Sequence, residues 1–260
     1  MICLNLVAAG TASAACKAPE YRRIVDHINA QTGEGIVHVS IAPSDFTLDG
    51  VICLTQSLKS QHPQWTSVIV LLFSSDDAAL YFKPDKLTGT PENWRYQREL
   101  RALYSIDTAR GRDYISILPF GMEGAGQYDT RIDLPTAGPV RCRLEMARRC
   151  VLALGSIEYS TLQEIELLSQ TVTLTGHVSR DGSITTPTVT SNDGSDRNGG
   201  GAWARAAVEH LKTWWLEPAP REDDIRVTYS FETNSSIPPG QVVVRFDLPN
   251  QVTVRVHRAK

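Results

Sequence analysis

Two adjacent carboxylates, Asp76 and Asp77, follow residues 66–73 (Thr-Ser-Val-Ile-Val-Leu-Leu-Phe), the most continuous apolar run of the mid-chain. In α/β folds the space beyond a strand's carboxyl end is where ligands bind, which makes the pair a candidate for small-ligand or acid–base work. Capping explains them more simply, since Ser74, Ser75, Asp76 and Asp77 all offer oxygens to the free amide hydrogens of a helix start. The six histidines are scattered, and His177 falls on the wet face of an alternating run, where a solvated side chain is expected rather than a general base. Gly199-Gly200-Gly201 precedes a helical pattern but lacks the lysine and the buried strand of a phosphate-cradling loop, so it reads as a flexible connection. Arg141, Arg143, Arg148 and Arg149 read as a solvated strand face, not an anion site. Neither a Gly-x-Ser-x-Gly elbow nor a His-Glu-x-x-His helix is present. The expectation is a non-enzymatic protein with no catalytic residue, no cofactor and no metal.

The five cysteines carry the remaining chemistry. Residues 2–10 form an apolar run that ends in Thr11-Ala12-Ser13-Ala14-Ala15, which reads as a secretory core and cleavage site, although no Lys or Arg precedes it. The run is far shorter than the ~20 residues a spanning helix needs, and no later stretch approaches that length, so no membrane span is expected in the mature chain. Removal of residues 1–15 takes Cys3 away and leaves Cys16, Cys53, Cys142 and Cys150, an even number that permits two bridges in an exported, periplasmic protein. Three pairings are open, and proximity along the chain favours Cys16 with Cys53 and Cys142 with Cys150. Within one helix the latter two would lie about 12 Å apart along the axis, so a bridge requires them on neighbouring strands. Ser13-Ala14-Ala15-Cys16 also half-resembles a lipoprotein processing site, the alternative in which Cys16 carries a lipid anchor. No Cys-x-x-Cys or Cys/His spacing points to zinc.

The whole chain sets further bounds. At 260 residues, 42% hydrophobic and 21% charged, it is long enough for two globular domains. A net charge of -3 argues against an electrostatic grip on nucleic acid or on an anionic membrane.

The elements that must position these residues follow from periodicity. In the first half, residues 19–31 read as a helix with Ile24, Val25 and Ile28 inward, 36–42 as a strand and 48–60 as a helix. Residues 66–73 read as a strand buried on both faces, 74–82 as a capped short helix, 93–106 as a third helix and 114–118 as a strand. This gives a small α/β domain over 17–120, and the glycine-rich residues 121–126 open a linker over 121–139. Residues 141–154 read as a pair of strands.

The second domain, 140–260, has the clearer pattern. Val172, Leu174, Gly176 and Val178 alternate with polar residues, Asp181-Gly182 supplies a hairpin turn, and 184–191 returns as a strand that Pro187 confines to an edge or a bulge. Trp203, Ala207, Leu211 and Trp214 recur at helical spacing, so the indoles are expected in the core, and Pro218 and Pro220 end the helix. Ile225, Val227, Tyr229 and Phe231 mark the cleanest strand, and residues 242–248 with 251–257 form a last hairpin. The fold class is α+β: a small α/β domain, then an antiparallel sheet packed by a helix, with an extra C-terminal hairpin.

Tyr159-Ser160, Thr171-Val172-Thr173-Leu174, Asp181-Gly182, the run Ala206 to Leu211 and Trp214-Trp215-Leu216-Glu217-Pro218 resemble, in order and spacing, the C-terminal domain of TonB-type energy transducers. The resemblance covers residues 159–232, and it departs from the family at Ser160, Gln170 and Leu216, where proline, glycine and an aromatic are usual. It implies a protein that binds an envelope partner, such as an outer-membrane receptor, by adding an extended segment to its last strand. On this sequence the matching edge is Arg226, Val227, Thr228, Tyr229 and Ser230. The alternative is a structural envelope protein whose own C-terminal hairpin covers that edge.

Overall fold

A computed structural model of the chain describes residues 16–83, 96–124, 128–134, 140–155, 157, 170–193, 200–238, 242–247 and 250–257. The expected signal segment, together with Tyr159, Ser160 and Gly199 of the motifs above, lies outside these residues. The fold is mixed α+β and dominated by sheet.

The first sheet has six strands in chain order: β1 (Tyr21–Asn29), β2 (Glu34–Ile41), β3 (Ser67–Phe73), β4 (Leu100–Asp107), β5 (Arg112–Ile117) and β6 (Thr130–Asp133). Only β2 and β3 run parallel, because helix α1 (Leu48–Gln61) carries the chain back between them. Thr47 caps that helix by accepting from the Gly50 amide, and its inward face (Val51, Leu54, Leu58) packs against Val68, Val70 and Leu72 of β3. The second short helix, α2 (Asp76–Tyr81), is capped by Ser75 and covers part of the other face, with Ala78 and Ala79 against Leu71 and Phe73.

Two expected helices are strands. Residues 21–29 pair with β2, and the ladder shifts register between Arg23 and Val25. An extra residue in a strand displaces the apolar positions after it, so Tyr21, Ile24, Val25 and Ile28 mimic a helical spacing while lying in a bulged strand. In β4, Leu100, Ala102, Tyr104 and Ile106 are buried and the residues between them are not, which is a period of two. The good helix formers around them are overruled by pairing to β3 and β5, and of the described residues in that stretch only 96–98 keep a helical turn. The stretch expected as a linker also carries structure, since β6 pairs with β5 and residues 121–124 form a 3-10 turn.

The second sheet contains β9 (Gln170–Val178), β10 (Ile184–Asn192), β12 (Asp223–Asn234), β13 (Val242–Asp247) and β14 (Gln251–His257) in the order β10-β9-β12-β14-β13. Helix α3 (Gly200–Lys212) lies on β9 and β10, and Trp203, Ala207 and Leu211 enter one core with Val172, Leu174, Val227 and Phe231. The turn between β9 and β10 needs its glycine, because Gly182 has a φ of 93° and a Cβ there would lie 1.8 Å from the Leu216 carbonyl oxygen.

Between the sheets sit β7 (Glu145–Met146), β8 (Arg149–Ala153) and β11 (Trp215–Leu216), in the order β11-β8-β7. Adjacent residues of β8 point to opposite sides: Val151 is buried in the core of the second sheet, Leu152 in that of the first. The two halves therefore share a wedge and are not joined by a bare connector. The β7–β8 turn puts two non-glycine residues in the left-handed region, Ala147 at φ 51° and Arg148 at φ 60°. A two-residue hairpin with both φ values positive favours glycine or asparagine there. Ala147→Gly or Arg148→Gly is expected to raise stability by about 0.5–1 kcal/mol, steric relief of ~1–2 kcal/mol being partly offset by glycine's added freedom. The urea midpoint measures this, and a destabilised variant would refute the turn geometry.

Cys16 with Cys53 and Cys142 with Cys150 form the two disulfides, spanning 37 and 8 positions. The second pair flanks the β7–β8 turn on facing segments, as strand placement requires. By loop closure the longer bridge contributes about 4 kcal/mol and the shorter about 2.5 kcal/mol. Among the described residues, no helix is long and apolar enough to cross a membrane.

Candidate functional site

The strand expected to receive a partner, β12, lies inside its sheet. On one side Asp223–Phe231 pair antiparallel with β9; on the other Thr228–Asn234 pair parallel with β14. Thr228, Tyr229 and Ser230 therefore have a strand on both sides, starting with the Thr228 amide donating to the Asn250 carbonyl at 2.8 Å. Arg226 and Val227 have β9 on one side and, among the described residues, no strand on the other. The expectation of an open edge over 226–230 is thus corrected for its last three residues. The C-terminal hairpin folds back and its second strand, not its first, takes the place beside β12. The Val227 and Tyr229 side chains are wholly enclosed on the faces of the sheet.

The true edges of this sheet are β10 and β13. The ladder of β10 to β9 slips twice, between Thr185 and Thr188 and between Val189 and Ser191, with Thr186 at φ 45° and Pro187 beside it. Bulges and proline interrupt the row of donors that an added strand must use, so β10 is a blunted edge. In contrast, β13 runs in unbroken register from Val242 opposite Val256 to Asp247 opposite Gln251. The Phe246 amide donates outward to the Tyr128 hydroxyl at 3.3 Å, which fixes the direction of the alternation. Val242 and Val244 share that direction, four and two residues before, so their backbone groups face away from β14. Val243, on the opposite phase, is 46% exposed. Among the described residues no strand covers this side.

Beneath β12 lies a buried histidine that no motif marked. His210 Nε2 is 2.9 Å from the Gly155 carbonyl oxygen and Nδ1 is 3.0 Å from the Tyr229 hydroxyl. A carbonyl can only accept, so Nε2 carries the proton and the Tyr229 hydroxyl donates to Nδ1. Trp214 and Phe246 close around the ring, and full burial pushes its pKa down to about 4, the Gly155 carbonyl opposing this. Neutral His210 thus ties α3, β12 and β13 together.

The other candidate residues are structural. Asp76 accepts from Ser40 on β2 and Arg22 on β1, and these two contacts hold its carboxyl below the usual range. An open hollow of about 630 Å³ lies beside it, lined by Arg22, Ser40, Asp45, Ser74 and Asp76. His177 is partly exposed and pairs with Asp224 at 3.0 Å, which raises its pKa, with Glu222 adding to the effect. Of the arginine cluster, Arg141, Arg143 and Arg148 are exposed, but Arg149 is buried and corrects the solvated reading. Its guanidinium bonds Asp223 at 2.7 Å and the Ser179 carbonyl at 2.8 Å, joining β8 to the end of the β9–β10 hairpin and the start of β12. Such a contact brings together chain positions 74 apart, and nothing local in the sequence signals it.

The junction between the halves holds further polar groups. Glu217 accepts from the Leu48 amide at 3.1 Å, so a residue of the second half caps the first turn of α1. Burial raises its pKa to about 7 against that hydrogen bond, with Asp49 adding to the rise. Among the described residues no group of His, Cys, Asp and Glu side chains gathers into a metal site. Comparison with protein-family models, with curated proteins and with solved structures finds no match.

Proposed function

We propose that this chain is an exported, non-enzymatic protein of the cell envelope that binds another envelope protein by backbone pairing at a sheet edge. Its second half is read as a TonB-like domain whose usual receiving strand is covered by the chain's own β14, so that reception moves to β13. The order hairpin, helix, strand in β9, β10, α3 and β12 supports the family reading, and two disulfides accord with an oxidising compartment. The observation that carries the proposal is the regular β13 edge, with outward backbone groups at Val242 and Val244.

A photo-cross-linking residue at Val243, introduced in the intact cell, is expected to give an adduct with a defined partner, and one at Thr186 on the blunted edge is not. Val244→Pro removes an outward donor and leaves the β13–β14 ladder whole, so it should abolish that adduct with little loss of fold. Equal adducts at both edges, or none at Val243, would sink the proposal. The coverage of β12 also favours a second reading, a structural envelope protein with its edge closed. That reading gives no specific adduct at Val243.

A further inference from the structure

Strand β12 ends at Asn234, and the chain reverses through Ser235 and Ser236 before Ile237 is buried again. Asn234-Ser235-Ser236 is the one Asn-x-Ser/Thr triplet in the chain, and no proline stands at its middle position or directly after it. This triplet is the acceptor sequence for asparagine-linked glycosylation of exported proteins, and it works only from the surface. All three residues are exposed.

The turn holds the asparagine in one orientation. The Ser236 amide and hydroxyl donate to Asn234 Oδ1 at 2.8 and 2.7 Å. A backbone N–H can only donate, so the atom it meets is the oxygen, and Nδ2 lies on the other arm of the planar side-chain amide. Among the described residues Nδ2 has no acceptor. The chain reversal needs only the oxygen, which an aspartate supplies equally well. The nitrogen is therefore surplus to the fold. Glu232 lies two residues before Asn234, hence on the same side of β12, and its carboxylate is 44% exposed beside Arg255 at 2.8 Å. An enzyme following the strand meets a carboxylate, then the amide, then the Ser236 hydroxyl.

We propose that Asn234 is an N-glycosylation site that accepts an oligosaccharide from a polyprenyl-diphosphate donor. In the transfer Asn234 Nδ2 forms a bond to the anomeric carbon of the first sugar, and the bond from that carbon to the diphosphate oxygen breaks. The diphosphate leaves with the electron pair, and the proton lost by Nδ2 passes to a base of the transferase. Nothing is oxidised or reduced. An amide nitrogen is a weak nucleophile because its lone pair is shared with the carbonyl, so the transferase supplies the activation and this chain supplies the presented acceptor. In the order β12-β14-β13 the attachment point is two strands, about 10 Å, from β13. The site rests on the export reading and does not depend on the strand-edge reading.

The test is mass spectrometry of the full-length, oxidised protein purified from the envelope fraction of the cell that makes it. The tryptic peptide 227–245 is expected to carry a sugar mass, with fragmentation placing it on Asn234. Asn234→Asp, which keeps the turn oxygen, should lose the modification and keep the fold. Ser236→Ala, which keeps Asn234 and the backbone N–H, should lose it as well, whereas Ser236→Thr should retain it. Should a variant fail to fold, the peptide of the parent chain decides alone. An unmodified Asn234 in the envelope fraction, a sugar on Ser235 or Ser236 instead, or a modification that persists in Ser236→Ala would each overturn the site and leave the export reading standing. Recovery of the chain from the cytoplasm alone would overturn both.

Discussion

Deleting residues 238–260 is expected to turn a well-behaved chain into one that self-associates. The segment removes β13 and β14 and with them Phe246, Val252, Val254 and Val256, all 5% exposed or less. At about 1.5–3 kcal/mol for each buried side chain, the loss is at least on the order of 6 kcal/mol, comparable with the whole stability of an ordinary domain. It also strips the covering strand from Thr228–Asn234, so what remains folded presents a long, apolar, unpaired edge. Light scattering should show large species at concentrations where the full chain gives none. A truncated chain that stays monodisperse with an unchanged melting temperature would mean that β14 does not seal β12.

The second large effect is on acid stability. In the unfolded chain His210 regains its ordinary value of 6.5, whereas in the fold it is held at about 4. Between those values the unfolded state takes up a proton that the folded state refuses. The contribution is therefore full above about pH 6.5, falls with pH, and is lost below about pH 4, for a total of about 3 kcal/mol. Glu217 acts in the other direction: with its folded value raised to about 7 from 4.5, the fold gains stability as pH drops through that interval. The two overlap between pH 4.5 and 6.5, so their opposite slopes give the intact protein a shallow profile there, and the His210 loss runs unopposed only between about pH 4.5 and 4. The His210 effect is read from the difference with His210→Gln, whose profile should improve relative to the parent by about one proton's slope as pH falls. Parallel profiles for the two chains would mean that His210 is not buried neutral.

Much of the second half was legible because its periods are clean. The alternation of Ile225, Val227, Tyr229 and Phe231, and the helical recurrence of Trp203, Ala207 and Leu211, give strand and helix directly. The cysteine pairing followed from proximity and strand geometry. What was not legible is long-range. The alternation of Val252, Val254 and Val256 fits β14 beside either β12 or β13 alone, and only the packed sheet shows it between them. The first half misled where a bulge near Ile24 shifted the phase and where helix-forming residues surround the alternating Leu100–Asp107. Arg149 with Asp223 and Glu217 with Leu48 are contacts between distant positions, and each side chain taken alone reads as an ordinary surface charge.

The strand order is what the functional proposal rests on, and amide hydrogen exchange on the free, full-length protein reads it residue by residue. In β12 the Ser230 and Glu232 amides share the direction of Thr228 and face β14, so they should exchange only by global opening. In β13 the Val243 and Arg245 amides, bonded to β14, should be protected, while Val242 and Val244 exchange within seconds to minutes. Fast exchange at Ser230 and Glu232 together with slow exchange at Val244 would reverse the assignment and return the receiving edge to β12.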